Sequence, residues 1–155
     1  MYDRILVAID ATPSDDNITL QRAEIFAQKW DAIVHLLHVG RGHILPGDIT
    51  GGSRLGLVSA PDDADVRERD VVQLAVDKLS AAGIETHGEL VNATQHDIAE
   101  IILQRAEELK VDIIVLGHEH HRGPTNAFRA SVAEQVIRQH PPCSILLARP
   151  PQESA

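Results

Sequence analysis

Apolar positions along this chain follow two alternating patterns. Short aliphatic runs rich in β-branched residues read as buried strands, and stretches with apolar residues three and four apart read as one-faced helices. Arg4–Asp10 (RILVAID) is the first such run. The polar cluster TPSDDN follows as a helix-start signal, and Leu20, Ala23, Phe26, Ala27 and Trp30 then make one helical face. Ile33–Val39 (IVHLLHV) predicts the second strand, and Ala64–Ala82 predicts a helix with Val71, Leu74, Ala75 and Leu79 on its apolar side. Gly83 is suited to stop that helix. The more polar run Ile84–Val91 predicts a third strand near a sheet edge, and Thr94 with Asp97 forms a capping-box pattern ahead of Ile98, Ile101, Ile102 and Leu109. Val111–Gly117 (VDIIVLG) is the clearest strand; Ser131-x-x-Glu134 opens a helix carrying Val132, Val136 and Ile137, which Pro141 and Pro142 stop; and Ser144–Ala148 (SILLA) is the last strand.

Strands alternating with helices predict a doubly wound five-stranded parallel sheet in a three-layer α/β/α arrangement, connected by right-handed crossovers. At 155 residues the chain makes one domain, expected over residues 1–150, with 151–155 a disordered tail. The glycine-rich segment 40–63, with Pro46 and Pro61, has no sustained period and is longer than most structureless loops. In doubly wound sheets ligands lie beyond the carboxyl ends of the strands, where strand order reverses. Asp10, Val39–Gly40 and the residues from Gly117 onward therefore stand at the expected ligand edge.

Composition narrows the partners. Only Tyr2, Phe26, Trp30 and Phe128 are aromatic, so the core must be aliphatic, as suits strands buried on both faces. The formal charge is −9, without a Lys/Arg cluster, which argues against nucleic acid and anionic membrane surfaces as partners. No apolar run approaches the roughly 20 residues that span a bilayer, and the chain enters a strand at once without a signal-like segment. Cys143 is the single cysteine, so no intrachain disulfide can form, and a cytoplasmic location is expected.

Asp10 after the VAID strand, the second strand ending LLHV, Gly117 after VDIIVLG, and the final stretch ASVAEQVIRQHPPCSILLARP together resemble the universal stress protein family. The likeness extends over almost the whole chain. It implies a Rossmann-like fold of the adenine nucleotide alpha hydrolase-like kind. It also implies a homodimer paired through the last strand, Ser144–Arg149, and an adenine-nucleotide pocket with Asp10 beside ribose and base and Val39 walling the base. The nucleotide-binding branch carries G-x2-G-x9-G-(S/T), whose glycines let backbone N–H groups close on phosphate at a helix N-terminus. Here that register falls on Gly117, His120 and Ala130–Ser131, with His118 beside the first glycine and Gly123 out of register. A histidine at a position needing φ > 0 costs about 1–2 kcal/mol and fills phosphate space.

Two functions of different class follow. In one the pocket is degenerate and the dimer acts as a non-catalytic regulatory or protective protein through protein contacts. In the other Asp10, Gly117 and Ser131 still hold ATP or another adenine nucleotide, with magnesium, as a molecular switch. Slow nucleotide hydrolysis would need the histidines of 118–121 to activate water. His118, Glu119 and His120 are also zinc-type ligands, but without a helix to set their spacing they read as a solvated loop, and no metal is expected there. Asp10 could instead cap the first helix, Ser131 is explained by capping without nucleophilic chemistry, and Cys143 reads as an inert small hydrophobe.

Overall fold

A computed structural model describes residues 1–9, 17–41, 63–93, 98–117 and 132–149. The chain runs β1 (Arg4–Ile9), α1 (Ile18–Trp30), β2 (Ile33–Arg41), α2 (Asp63–Ala81), β3 (Thr86–Ala93), α3 (Ile98–Glu108), β4 (Ile113–Gly117), α4 (Val132–Arg138) and β5 (Ser144–Ala148). All pairings are parallel, in the order β3-β2-β1-β4-β5. This is the doubly wound sheet that the alternation predicts. The polar third strand takes one edge and β5 the other.

Alternation along each strand divides the core into two layers. Ile5, Val7 and Ile9 of β1 meet Leu20, Ala23 and Ala27 of α1 and Val72, Ala75 and Leu79 of α2 on one face. Leu6 of β1 meets Ala99, Ile102 and Ala106 of α3 and Ala133 and Val136 of α4 on the other. Strands β1 and β4 are therefore buried on both faces, which explains the aliphatic stretches Ile5–Ile9 and Ile113–Leu116.

Two helices are rotated slightly from the face their periodicity suggests, while Ala75, Leu79 and Val136 of the expected stripes remain buried. Leu74 of α2 is exposed, and the buried line runs through Val72, Ala75 and Leu79, with Val76 packed against it. The cause lies on β3. A Cβ at Gly88 would stand 2.8 Å from Val72 Cγ1 and 2.7 Å from Val76 Cγ2, so the helix settles into the space that this glycine leaves. In α4, Ile137 is exposed while Ala133 and Val136 are buried against the small residues of α3.

Helix α2 ends on Gly83 at φ +83, where its N–H donates to Ser80 O and the N–H of Ile84 donates to Leu79 O. Asp31, Lys110 and His140 take left-handed conformations after the other three helices without the help of glycine.

Candidate functional site

The strand order reverses between β1 and β4. Ala8 pairs with Leu116, so Ile9 and Gly117 are the next residues along these two neighbouring strands at the carboxyl edge. Asp10 continues the chain from this point. On the other side of β1, Ile9 pairs with His38, which precedes Val39. The structure thus brings the ends of β1, β2 and β4 together, as the periodicity of the sequence leads one to expect.

Of the expected site residues, Val39 and Gly117 are described. Asp10, His118, His120, Gly123, Ala130 and Ser131 lie outside the described residues, as do Thr94 and Asp97 and most of the 40–63 segment. Val39 is half-buried and packs on the α3/α4 layer. Gly117 has a structural duty of its own. A Cβ there would stand 2.7 Å from Thr19 Oγ1, so its missing side chain lets the first turn of α1 approach the end of β4.

That first turn is capped by Asn17, whose side chain accepts a hydrogen bond from the N–H of Leu20 at 3.2 Å. The cap of α1 is therefore Asn17, and the helix has no need of Asp10 for that purpose. Thr19, next to Gly117, is buried. Neither Asn17 nor Thr19 stands out in the sequence, because a cap and a small buried hydroxyl are common anywhere.

His38 is, with Thr19, one of the two buried polar residues among the described residues, 5% exposed. Its Nδ1 lies 2.8 Å from the carbonyl of Ile9, and its Nε2 lies 3.7 Å from Glu68 Oε1 of α2. Nε2 has no hydrogen-bond partner among the described residues. The signal in the sequence is a histidine inside an aliphatic run, LLHV, on the parity of Val34 and Leu36.

Other titratable groups serve the frame. Asp112 accepts hydrogen bonds from the N–H groups of Asp3 and Arg4 at 2.8 and 3.1 Å, tying the start of β1 to β4. Arg105 of α3 pairs with Glu89 and Glu108. Tyr2 meets Phe26 and Trp30 edge-on at 5.1 and 5.3 Å. His35 stacks on His87 of the neighbouring strand, and burial, with His87 and Arg4 adding to it, holds its pKa below the usual histidine value. Burial and the nearby Asp112 carboxylate push the half-buried Cys143 thiol up, consistent with an unreactive side chain. No group of three or more His, Cys, Asp or Glu gathers among the described residues. Among those residues, no helix is long and apolar enough to cross a membrane.

Solved structures with this fold include a universal stress protein from Archaeoglobus fulgidus in complex with dAMP, at 23% identity and TM-score 0.65 over 96% of this chain and 98% of that one. A universal stress protein family member from Burkholderia pseudomallei is 24% identical, with TM-score 0.65 over 94% and 95% of the two chains. An Arabidopsis thaliana family protein with AMP bound is 16% identical, with TM-score 0.56 over 94% and 90%. No curated protein matches the chain. The sequence pattern of the universal stress protein family matches residues 1–149, and with the five-stranded parallel sheet already described, this chain belongs to that family.

Proposed function

We propose that this chain is a non-catalytic, cytoplasmic regulatory protein of the stress response, built around a degenerate adenine-nucleotide pocket at the β1/β4 switch point. The observation that carries the reading is the side-by-side placement of the ends of β1, β2 and β4, with Gly117 one residue past the Ala8–Leu116 pair. The degeneracy rests on His120 and Ala130, which stand where the family pattern has glycine. Each adds a side chain where backbone N–H groups would otherwise close on phosphate.

Assembly as a homodimer through Ser144–Arg149 fits the same picture. Strand β5 is a sheet edge, and its Ile145, Leu146 and Leu147 are only half-buried within one chain. Pairing with a second copy across a two-fold axis would cover them and remove the exposed edge. A second reading is favoured by the dAMP and AMP complexes of relatives. In it, Asp10, Gly117 and Ser131 retain an adenine nucleotide, with magnesium, as a switch.

Calorimetric titration of the nucleotide-free protein with ATP and magnesium separates the two. The degenerate pocket gives no saturable heat in the wild type, and His120→Gly combined with Ala130→Gly creates binding. Micromolar saturable binding by the wild type that disappears in Asp10→Ala would overturn this reading in favour of the switch.

A further inference from the structure

Strand β3 ends the sheet and is hydrogen-bonded to β2 along one side. In that pairing His35 of β2 stands directly opposite His87 of β3, and the two imidazoles stack with centroids 5.3 Å apart and planes 22° from parallel. His35 is half-buried, with Leu6 of β1 on its other side, whereas His87 is exposed. Directly opposed side chains of this kind add to or subtract from strand pairing according to their charge. Two neutral rings stack without repulsion. A proton on the inner ring sets a cation against His87 and in the field of the Arg4 guanidinium.

The charged groups around the pair decide the direction of the effect. From β1 comes Arg4, whose guanidinium donates to Leu109 O at 3.1 Å. Glu85, just before β3, lies 3.2 Å from His87 Nε2, and β3 itself adds Glu89. From α3 comes Arg105, already paired with Glu89 and Glu108. Burial first, then His87 and Arg4, oppose a proton on His35; Glu85 and Glu89 favour it, and the opposition prevails. The closed pair therefore holds the His35 pKa below the usual 6.5, whereas a parted strand end returns the ring to water and to the usual value. Closure is favoured above pH 6.5 and is lost as pH falls from 6.5 toward the closed-state value.

Backbone and packing confine where the sheet can give. The start of β3 is held by the Val34 N–H, which donates to Glu85 O at 2.9 Å, and by the pairing of Val34 with Thr86. Just beyond His87 the strand is fixed more firmly. Gly88 lodges against Val72 and Val76 of α2, and Glu89 is tied to α3 through Arg105. We propose that the stacked His35–His87 pair is an acid-sensitive seam, at which Thr86 and His87 part from β2 while the rest of the sheet stays closed. Parting frees the Val34 N–H and uncovers the first residues of β2 as a strand edge. The seam lies at the amino ends of the strands, opposite the candidate site, and does not depend on nucleotide binding.

Amide hydrogen exchange of the full chain, read residue by residue by NMR and corrected for the intrinsic effect of pH, tests the seam. Between pH 7.5 and 5.5 the Val34 N–H should lose protection by roughly threefold or more relative to the amides of β1 and β4. His35→Gln should remove that difference. His87→Gln, at an exposed position, should reduce it, because the repulsion goes while the burial of His35 remains. No loss at Val34, or a loss shared equally by β1 and β4, would overturn the inference and assign any acid response to the fold as a whole. A local loss that persists unchanged in either variant would equally overturn it. If His35→Gln does not fold, His87→Gln still decides the matter.

Discussion

Substituting Gly117 by alanine separates the two reasons a glycine can stand at this point of the family pattern. The added Cβ would lie 2.7 Å from Thr19 Oγ1, where ordinary contact begins near 3.4 Å. Thr19 is 7% exposed and sits in the first turn of α1, so it has little room to withdraw. Being β-branched, it is also restricted about χ1. Overpacking of this kind costs about 1–3 kcal/mol. With a urea m-value of roughly 2 kcal/mol/M, a loss of about 2 kcal/mol moves the unfolding midpoint down by about 1 M. Urea titration followed by circular dichroism reads that shift directly. Thr19→Ala in the Gly117→Ala background should recover at least half of the loss, through a coupling energy of about 0.5–3 kcal/mol. A Gly117→Ala protein within about 0.5 kcal/mol of wild type would refute the packing argument. The glycine would then be needed only by a ligand.

Leu79, fully buried in the α1/α2 layer, should lose about 2–5 kcal/mol on Leu79→Ala, seen as a lower urea midpoint at unchanged m-value. A loss below about 1 kcal/mol would show that α2 does not complete this core. His35 makes stability acid-sensitive. Burial first, then His87 and Arg4, hold its folded pKa below the unfolded 6.5, so the unfolded chain takes up a proton before the folded one does. Its contribution is therefore present above pH 6.5 and is lost as pH falls below 6.5 toward the folded value. Unfolding midpoints measured from pH 7.5 to 5 should show this slope in wild type, and His35→Gln should flatten it. An unchanged slope in the variant would assign the acid sensitivity elsewhere.

Period and order of elements were legible in the residues themselves. The stretches ILVAI and IIVLG are aliphatic without interruption because β1 and β4 are buried on both faces, and that burial is written in composition alone. Parallel pairing followed from alternation, since a helix between two strands returns the chain to the same end of the sheet. The polar Ile84–Val91 run likewise announced an edge. The meeting of the ends of β1, β2 and β4 was legible for the same reason: the carboxyl ends of parallel strands collect at one side whatever their side chains. Two helix faces were less legible. Leu74 and Ile137 fit an apolar stripe by spacing, but rotation of a helix about its axis depends on where its neighbour leaves room. For α2 that room comes from Gly88, on another element.

What only the tertiary structure decided is which groups meet across those elements. In the sequence Gly117 is one glycine of a phosphate-loop pattern; against α1 it is the space that Thr19 occupies. Asp10 is the cap candidate in the sequence, and the hydrogen bond donated by the Leu20 N–H assigns the role to Asn17. His38 is one letter of LLHV until the fold sets it between Ile9 and Glu68, 29 and 30 residues away on opposite sides along the chain. Local patterning determines what each segment can become, because it acts within a turn or a strand. Contacts between distant residues depend on how the layers close, and no pattern within a single segment specifies them.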